Sequence, residues 1–180
     1  MSGRDGVIRA ARADDAEILE AIEASADSLL IETLGAWDWP PAGDGVSRLV
    51  DPGFVLLIEE DSTHSPVGFV HVLDADGYAH LEQLSVVPTA GRQGHGRALV
   101  LAALSEAQGR GYSRVTLRTY AEIPWNAPFY ASCGFVESLP ESAFHRSLVE
   151  SEASLGLERY GRRVQMTVDL DAAPGLSGNR

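Results

Sequence analysis

The chain has no lysine: all 14 of its basic residues are arginine. That excludes a P-loop lysine, a lysine nucleophile and a Schiff-base lysine. Cysteine is almost as scarce. Cys133 stands alone, so no internal disulfide and no cysteine-based metal site can form, and no metal is expected. No apolar run reaches the roughly 18 residues that a membrane helix needs. The opening Met1-Ser2-Gly3-Arg4-Asp5-Gly6 lacks the apolar stretch of a signal peptide. A cytoplasmic location and no membrane partner are therefore expected. Positive charge is also in short supply, with a net charge of −12. Nucleic-acid binding needs a basic surface, so no nucleic-acid partner is expected. The acidity weakly favours cationic partners such as amines, while a role in solubility alone is the plainer reading.

What is present suits one domain of a protein with a sizeable core. The pattern gives a flexible N-terminus over 1–6, a single domain over 7–170 and a flexible tail over 171–180. Val7–Ala11 reads as a first strand. A helix follows to about Ala24, with a second from Asp27 to Leu34. Gly35 to Gly45 reads as a loop holding Trp37 and Trp39, which either cover the core edge or line a substrate pocket. Strands are expected over Phe54–Glu60, Val67–Leu73 and Tyr78–Val87, the last two joined by the hairpin turn Asp74-Ala75-Asp76-Gly77. A helix after Gly96 leads to the strand Arg114–Thr119, and a crossover of this length implies parallel pairing. A short helix over Asn126–Cys133, the strand Phe135–Glu137, a helix over Ala143–Leu155 and the strand Arg163–Leu170 complete the chain. The fold class is thus α/β with a mixed sheet, an antiparallel meander joined to a parallel pair.

Two stretches carry chemistry. In the first, the strand Leu84-Ser85-Val86-Val87-Pro88 runs into Thr89-Ala90-Gly91-Arg92-Gln93-Gly94-His95-Gly96-Arg97 and then the helix from Ala98. Glycines at a helix N-terminus leave N–H groups open to an anion, and the helix dipole adds to them. Arg92 and Arg97 are suited to phosphate oxygens, while His95 reads as an exposed spacer. The pattern is not a P-loop. Nor is it a dinucleotide fingerprint, because Leu99 stands where the third glycine belongs and a meander precedes it. A tight turn without a ligand remains the bland alternative. In the second stretch, Asn126 and Tyr130 are four residues apart on one helix face, ahead of Gly134-Phe135. Taken alone, Tyr130 reads more often as a core aromatic with a satisfied hydroxyl than as a proton donor.

Together the two stretches resemble the GNAT superfamily of acyl-CoA-dependent N-acetyltransferases, over roughly Val67 to Phe135. The family's turn runs arginine or glutamine, two residues, glycine, one residue, then glycine or alanine. Here its second part stands as Gly94-His95-Gly96, but Gly91 holds the first position and the arginine follows at Arg92. The resemblance implies a central mixed sheet of about seven strands, flanked by helices and split between a parallel fourth and fifth strand. It implies acetyl-CoA as co-substrate, with direct attack by a primary amine in a ternary complex. The pantetheine arm would meet Leu84, Ser85 and Val86, the pyrophosphate Arg92, Gln93, Gly94, His95, Gly96, Arg97 and Ala98, with Asn126 and Tyr130 also contacting CoA. Tyr130 would protonate the departing thiolate. A thiol pKa of about 8.5 against about 10 for a phenol permits this when the two are hydrogen-bonded.

Glu82 occupies the family's base position, as a base or as a substrate or structural carboxylate. Acting as a base would require burial to raise its pKa. His80, two residues earlier on the same strand face, competes for that role. Cys133 reads as packing. Trp37, Glu82, Tyr120, Glu122 and Trp125 are the candidate acceptor contacts. A small-molecule amine is the leading substrate class, with a protein or peptide amine or a non-catalytic CoA sensor as alternatives. A homodimer is compatible with the final strands.

Overall fold

Seven strands form one mixed sheet in the computed structural model, which describes residues 6–171. They are β1 (Gly6–Ala10), β2 (Gly53–Glu60), β3 (Pro66–Ala75), β4 (Tyr78–Val86), β5 (Arg114–Tyr120), β6 (Val136–Ser138) and β7 (Arg163–Asp169). The helices are α1 (Ala16–Leu34), α2 (Gly45–Val50), α3 (His95–Gly109), α4 (Ala127–Ser132) and α5 (Ala143–Ser154). The strand order is β1-β2-β3-β4-β5-β7-β6. β4 and β5 are parallel, while the β1–β2, β2–β3, β5–β7 and β6–β7 pairs are antiparallel. Of the expected flexible tail over 171–180, residues 172–180 lie outside the described residues, as do the first five. Among the described residues no helix is long and apolar enough to cross a membrane.

The chain forms two compact units. The first holds the residues up to Leu73 together with Glu82–Ala103; the second holds Asp74–Leu81 and everything from Leu104. In the first unit, Leu19 and Ile22 of α1 pack with Val55, Leu57 and Phe69 of β2 and β3. Burying each of these side chains contributes about 1.5 to 3 kcal/mol. In the second unit, β5 and β7 form the longest ladder, from Arg114↔Asp169 to Tyr120↔Arg163, with Val115, Leu117, Val164 and Met166 buried along it. The hairpin before β4 has φ of 53° at Asp76 and 81° at Gly77. Both are positive, as the tightest hairpin turns require.

Two expectations are corrected. The two predicted N-terminal helices are one 19-residue helix, α1. Ala24-Ser25-Ala26 contains neither glycine nor proline, so nothing breaks the backbone ladder before Gly35, which caps α1 at φ 62°. The predicted loop to Gly45 gives way to α2, a six-residue helix the sequence pattern missed. Asp44 caps it by accepting a hydrogen bond from the Ser47 N–H at 2.8 Å.

α2 lies hard against the start of α1. Gly45 N–H donates to Glu20 Oε1 at 2.8 Å, and a Cβ on Gly45 would stand 2.0 Å from the Ala16 carbonyl oxygen. Backbone cannot yield there as a flexible side chain would. Gly45→Ala should therefore lower stability by about 2 to 3 kcal/mol, read from urea unfolding at constant m. Wild-type stability in that variant would show that α2 can shift.

Candidate active site

The first unit presents the glycine-rich turn and a charge cluster around a buried arginine. β4 ends at Val86, and Pro88–Ala90 makes one 3-10 turn before the chain reaches Gly91. Gly91 has an ordinary extended backbone, φ −65° and ψ 156°. The left-handed positions are Arg92 at φ 60° and Gly94 at φ 90°. The first helical hydrogen bond of α3 runs from Ala98 N–H to Gly94 O at 2.9 Å. The His95 and Gly96 N–H groups stand ahead of it, at the positive end of a 15-residue helix. This arrangement suits a phosphate group. Arg92 and Arg97 are exposed on either side. Leu84 and Val86 are half-buried on β4, and the buried Ser85 accepts a hydrogen bond from Gln83 Nε2 at 3.0 Å.

His95 is not the exposed spacer that was expected: it is only 2% exposed, and its Nε2 has no partner among the described residues. The reason is helical spacing. α3 begins at His95, not after Gly96, so His95, Leu99 and Ala103 form one stripe four residues apart, and all three are buried.

The charge cluster centres on Arg48 of α2. Its Nη2 donates to both carboxylate oxygens of Glu23 on α1, at 3.0 and 2.8 Å, and its Nη1 donates to Glu82 Oε2 at 2.6 Å. His71 Nδ1 on β3 lies 3.1 Å from the same Nη1. Guanidinium has no lone pair to offer, so His71 Nδ1 is the acceptor and its proton sits on Nε2. Glu82 was expected to need a raised pKa to act as a base. Desolvation does push it upward, but the charge and hydrogen bond of Arg48 outweigh this and hold it below the usual carboxylate range. Desolvation raises the Glu23 pKa, against the pull of Arg48. Asp27, one turn beyond Glu23, is pushed up to about 6 by desolvation and by the Glu23 charge, against a hydrogen bond to Trp39. Trp39 is half-buried, whereas Trp37 is 80% exposed.

The second unit holds the other candidates. Asn126 is the residue before α4, and its side chain does not cap the helix. Tyr130 is 7% exposed, packed edge-on against Phe129 and Phe135, and burial raises its pKa, so the phenol stays protonated. Tyr120 is buried, its hydroxyl donating to the Leu157 carbonyl at 3.0 Å and its ring lying under Arg163. Glu122 and Trp125 are exposed in the segment between β5 and α4. The same unit holds a half-buried ion cluster in which Glu152 accepts from Arg118 at 3.0 and 2.8 Å and from Arg163 at 2.7 Å.

Arg48 was missed by the motif search. One signal could have found it: it is the only arginine between Arg12 and Arg92, in a segment rich in carboxylates. The cluster around it also gives a pH prediction. The folded pKa of Asp27 lies above the ordinary 3.8, so its contribution to stability is full below 3.8 and is lost as pH rises through about 6. Asp27→Asn removes that loss while keeping an acceptor for Trp39. It should stabilise the protein by about 1 to 2 kcal/mol at pH 8, and the two melting curves should converge by pH 4. A gain that persists at pH 4 would rule out this cause.

A family model described as the acetyltransferase (GNAT) family matches residues 17–135. The fold matches several solved structures. The ribosomal-protein-S18-alanine N-acetyltransferase of Escherichia coli is 18% identical with a TM-score of 0.67, over 98% of this chain and 100% of that one. The PaiA N-acetyltransferase of Thermoplasma acidophilum, solved with coenzyme A, is 16% identical with a TM-score of 0.67, over 92% and 99%. A putative streptothricin acetyltransferase of Bacillus anthracis, solved with acetyl coenzyme A, is 17% identical with a TM-score of 0.54, over 68% and 66%. At these identities the structural likeness concerns the fold, and it agrees with the family match and with the seven-stranded mixed sheet. The chain belongs to the GNAT family of acetyltransferases and is an acyltransferase.

Proposed function

We infer that the enzyme transfers an acetyl group from acetyl-CoA to the primary amine of a small molecule, by direct attack in a ternary complex. The observation that carries the acetyl-CoA assignment is the turn into α3. Gly94 at φ 90° delivers the His95 and Gly96 N–H groups at the helix N-terminus, a site whose chemistry fits a pyrophosphate. Arg92 and Arg97 add exposed cations beside it. The backbone of Leu84, Ser85 and Val86 is assigned to the pantetheine arm, the turn from Arg92 through Gln93, Gly94, His95 and Gly96 to Arg97 and Ala98 to the pyrophosphate, and Asn126 to a CoA contact.

Bound acetyl-CoA supplies an activated acetyl group as a thioester, whose carbon–sulfur bond breaks as the amine nitrogen bonds to the carbonyl carbon. Tyr130 gives its hydroxyl proton to the leaving sulfur. Its buried phenol is kept protonated over the working pH range, as a donor must be. Glu82 is assigned to draw and orient the cationic amine. With its pKa held down by Arg48 it stays ionised, which suits a counter-charge better than a store for the amine's proton. A small cationic acceptor is favoured by the first unit's cluster, where Glu23, Asp27 and Glu82 share the single cation Arg48. Trp37, Glu122 and Trp125 are exposed enough to contact such an acceptor, and Tyr120 could do so only through its ring. A protein amine is the second reading, favoured by the printed specificity of the Escherichia coli relative.

Coenzyme A and acetyl-CoA should each raise the melting temperature, and no shift at millimolar CoA would overturn the assignment. A panel of small amines beside N-terminal peptides then separates the two acceptor classes. Tyr130→Phe should lower kcat about a hundredfold while leaving the CoA-induced shift intact. Unchanged turnover would remove Tyr130 from the mechanism. Arg92→Gly relieves a left-handed backbone and should raise stability by about 0.5 to 1 kcal/mol. The same variant should weaken CoA by no more than about tenfold by calorimetry, because the backbone carries most of the contact.

A further inference from the structure

Gly43 and Gly45 flank Asp44, the cap of α2, and they are glycine for different reasons. Gly45 meets the Ala16 carbonyl, which is backbone and cannot yield. Gly43 meets the head of Arg48. A Cβ there would stand 2.9 Å from Arg48 Cζ and 3.0 Å from Nε, and closer still to Nη2. Gly43 is not among the residues at positive φ, so its backbone suits alanine as well. Its lack of a side chain is therefore a matter of room for the guanidinium. Gly43 also gives its backbone N–H to Glu23, the carboxylate that Arg48 Nη2 holds.

The guanidinium is tied on its other sides. Nη2 donates to both oxygens of Glu23, and Nη1 donates to Glu82 Oε2 at 2.6 Å and to His71 Nδ1 at 3.1 Å. The Phe69 ring lies 5.8 Å from Cζ. A flexible side chain gives way where backbone does not, so a methyl group at position 43 displaces Arg48 and leaves the chain path alone. Hydrogen bonds weaken steeply away from their best distance and angle, and a guanidinium pushed aside loses its fork to the carboxylates. The two carboxylates differ in access. Glu23 is 6% exposed, whereas the Glu82 side chain is 38% exposed. The bond from Arg48 falls on Glu82 Oε2, so Oε1 is left for an incoming ammonium group. His80, the other residue weighed as a base, belongs to the second unit, with its Nδ1 2.8 Å from Thr116 Oγ1.

We propose that Gly43 is a positioning residue for the amine acceptor: by leaving room for the Arg48 guanidinium, it keeps Glu82 Oε2 tied and Oε1 presented to the acceptor's ammonium group. The proposal rests on the acetyl-transfer reading given above and on the part it gives to Glu82. Gly43 touches no reacting atom and acts only through Arg48. Arg48 in turn does two things to Glu82. Its hydrogen bond fixes the plane of the carboxylate, and its charge keeps that carboxylate ionised. With the guanidinium displaced, the carboxylate turns freely, takes up protons more readily and holds an ammonium group less well.

The test uses the full chain, labelled with 13C at the glutamate side-chain carboxyl carbon, as wild type, Gly43→Ala, Arg48→Leu and the double variant. The Glu82 signal is identified by its loss in Glu82→Gln. In the wild type it should remain that of an ionised carboxylate down to the onset of acid unfolding. In Gly43→Ala its midpoint should move up towards that of a free carboxylate. In the Arg48→Leu background Gly43→Ala should add no further shift, because the group it strikes is gone. A folded Gly43→Ala protein with the wild-type Glu82 titration overturns the proposal, as does an equal shift in both backgrounds. If Arg48→Leu does not fold, the titration of the single variant decides. With acetyl-CoA and cadaverine as the probe amine, Gly43→Ala should raise the KM for cadaverine about tenfold at a nearly unchanged KM for acetyl-CoA. A merely structural defect would lower stability and leave the KM for cadaverine where it was, and that result also overturns the proposal. If cadaverine is not acetylated, the Glu82 titrations decide. The CoA melting shift is measured on wild type and Gly43→Ala. Its absence in the wild type defeats the acetyl-transfer reading, whereas its presence with an unmoved Glu82 titration defeats only the part given to Gly43.

Discussion

A single buried guanidinium organises the first unit. Arg48 joins α2 to α1 through Glu23, to β4 through Glu82 and to β3 through His71. Removing such a charge from water costs several kcal/mol, which is offset only when good geometry supplies opposite charge on several sides. Here the fork of the guanidinium faces two carboxylates, and the Phe69 ring lies 5.8 Å from its centre. Lysine could not meet these demands, because it offers a point charge in place of a planar fork. The tight approach of Gly45 to α1 brings α2, and with it Arg48, up to these partners. The same pairing sets the chemistry of Glu82, since a carboxylate held this firmly by a guanidinium gives up its basicity.

The second unit deals with buried polarity differently. Around Glu152 it repeats the ionic solution, with Arg118 and Arg163 closing on one carboxylate. Along His80, Thr116 and His145 it uses hydrogen bonds without an ion pair. The first kind of arrangement is rigid, because separating its partners exposes a bare charge to a poorly polar interior. A phenol held protonated by burial, Tyr130, belongs to the same unit.

Much of this was legible in the chain. Strand edges, the Asp76-Gly77 hairpin and the turn into α3 depend on local backbone chemistry, and glycine, proline and period-2 patterns report that chemistry directly. The paired motifs at Gly94–Gly96 and Asn126–Phe135 pointed to the family that residues 17–135 match. What was missed is of two kinds. α2 is short, starts with a glycine and depends on the Asp44 cap, so no periodic signal announces it. His95 was misplaced because the helical count began after Gly96, one residue past the true start of the buried stripe. The other kind is non-local. Arg48 meets Glu23 and Glu82 across 25 and 34 residues, and Thr116 meets His80 and His145 across 36 and 29. No spacing rule reaches such partners; only the sheet register brings them together.

The Arg48 cluster has one more consequence. Under the proposed activity the protein works beside a reagent that acylates primary amines. Guanidinium is protonated at any physiological pH and is a very poor nucleophile towards thioesters, whereas a side-chain ammonium can shed its proton and be captured. With arginine at every cationic position, the chain offers its own co-substrate no lysine amine to modify. Its internal charge balance is therefore chemically insulated from the reaction it is proposed to run.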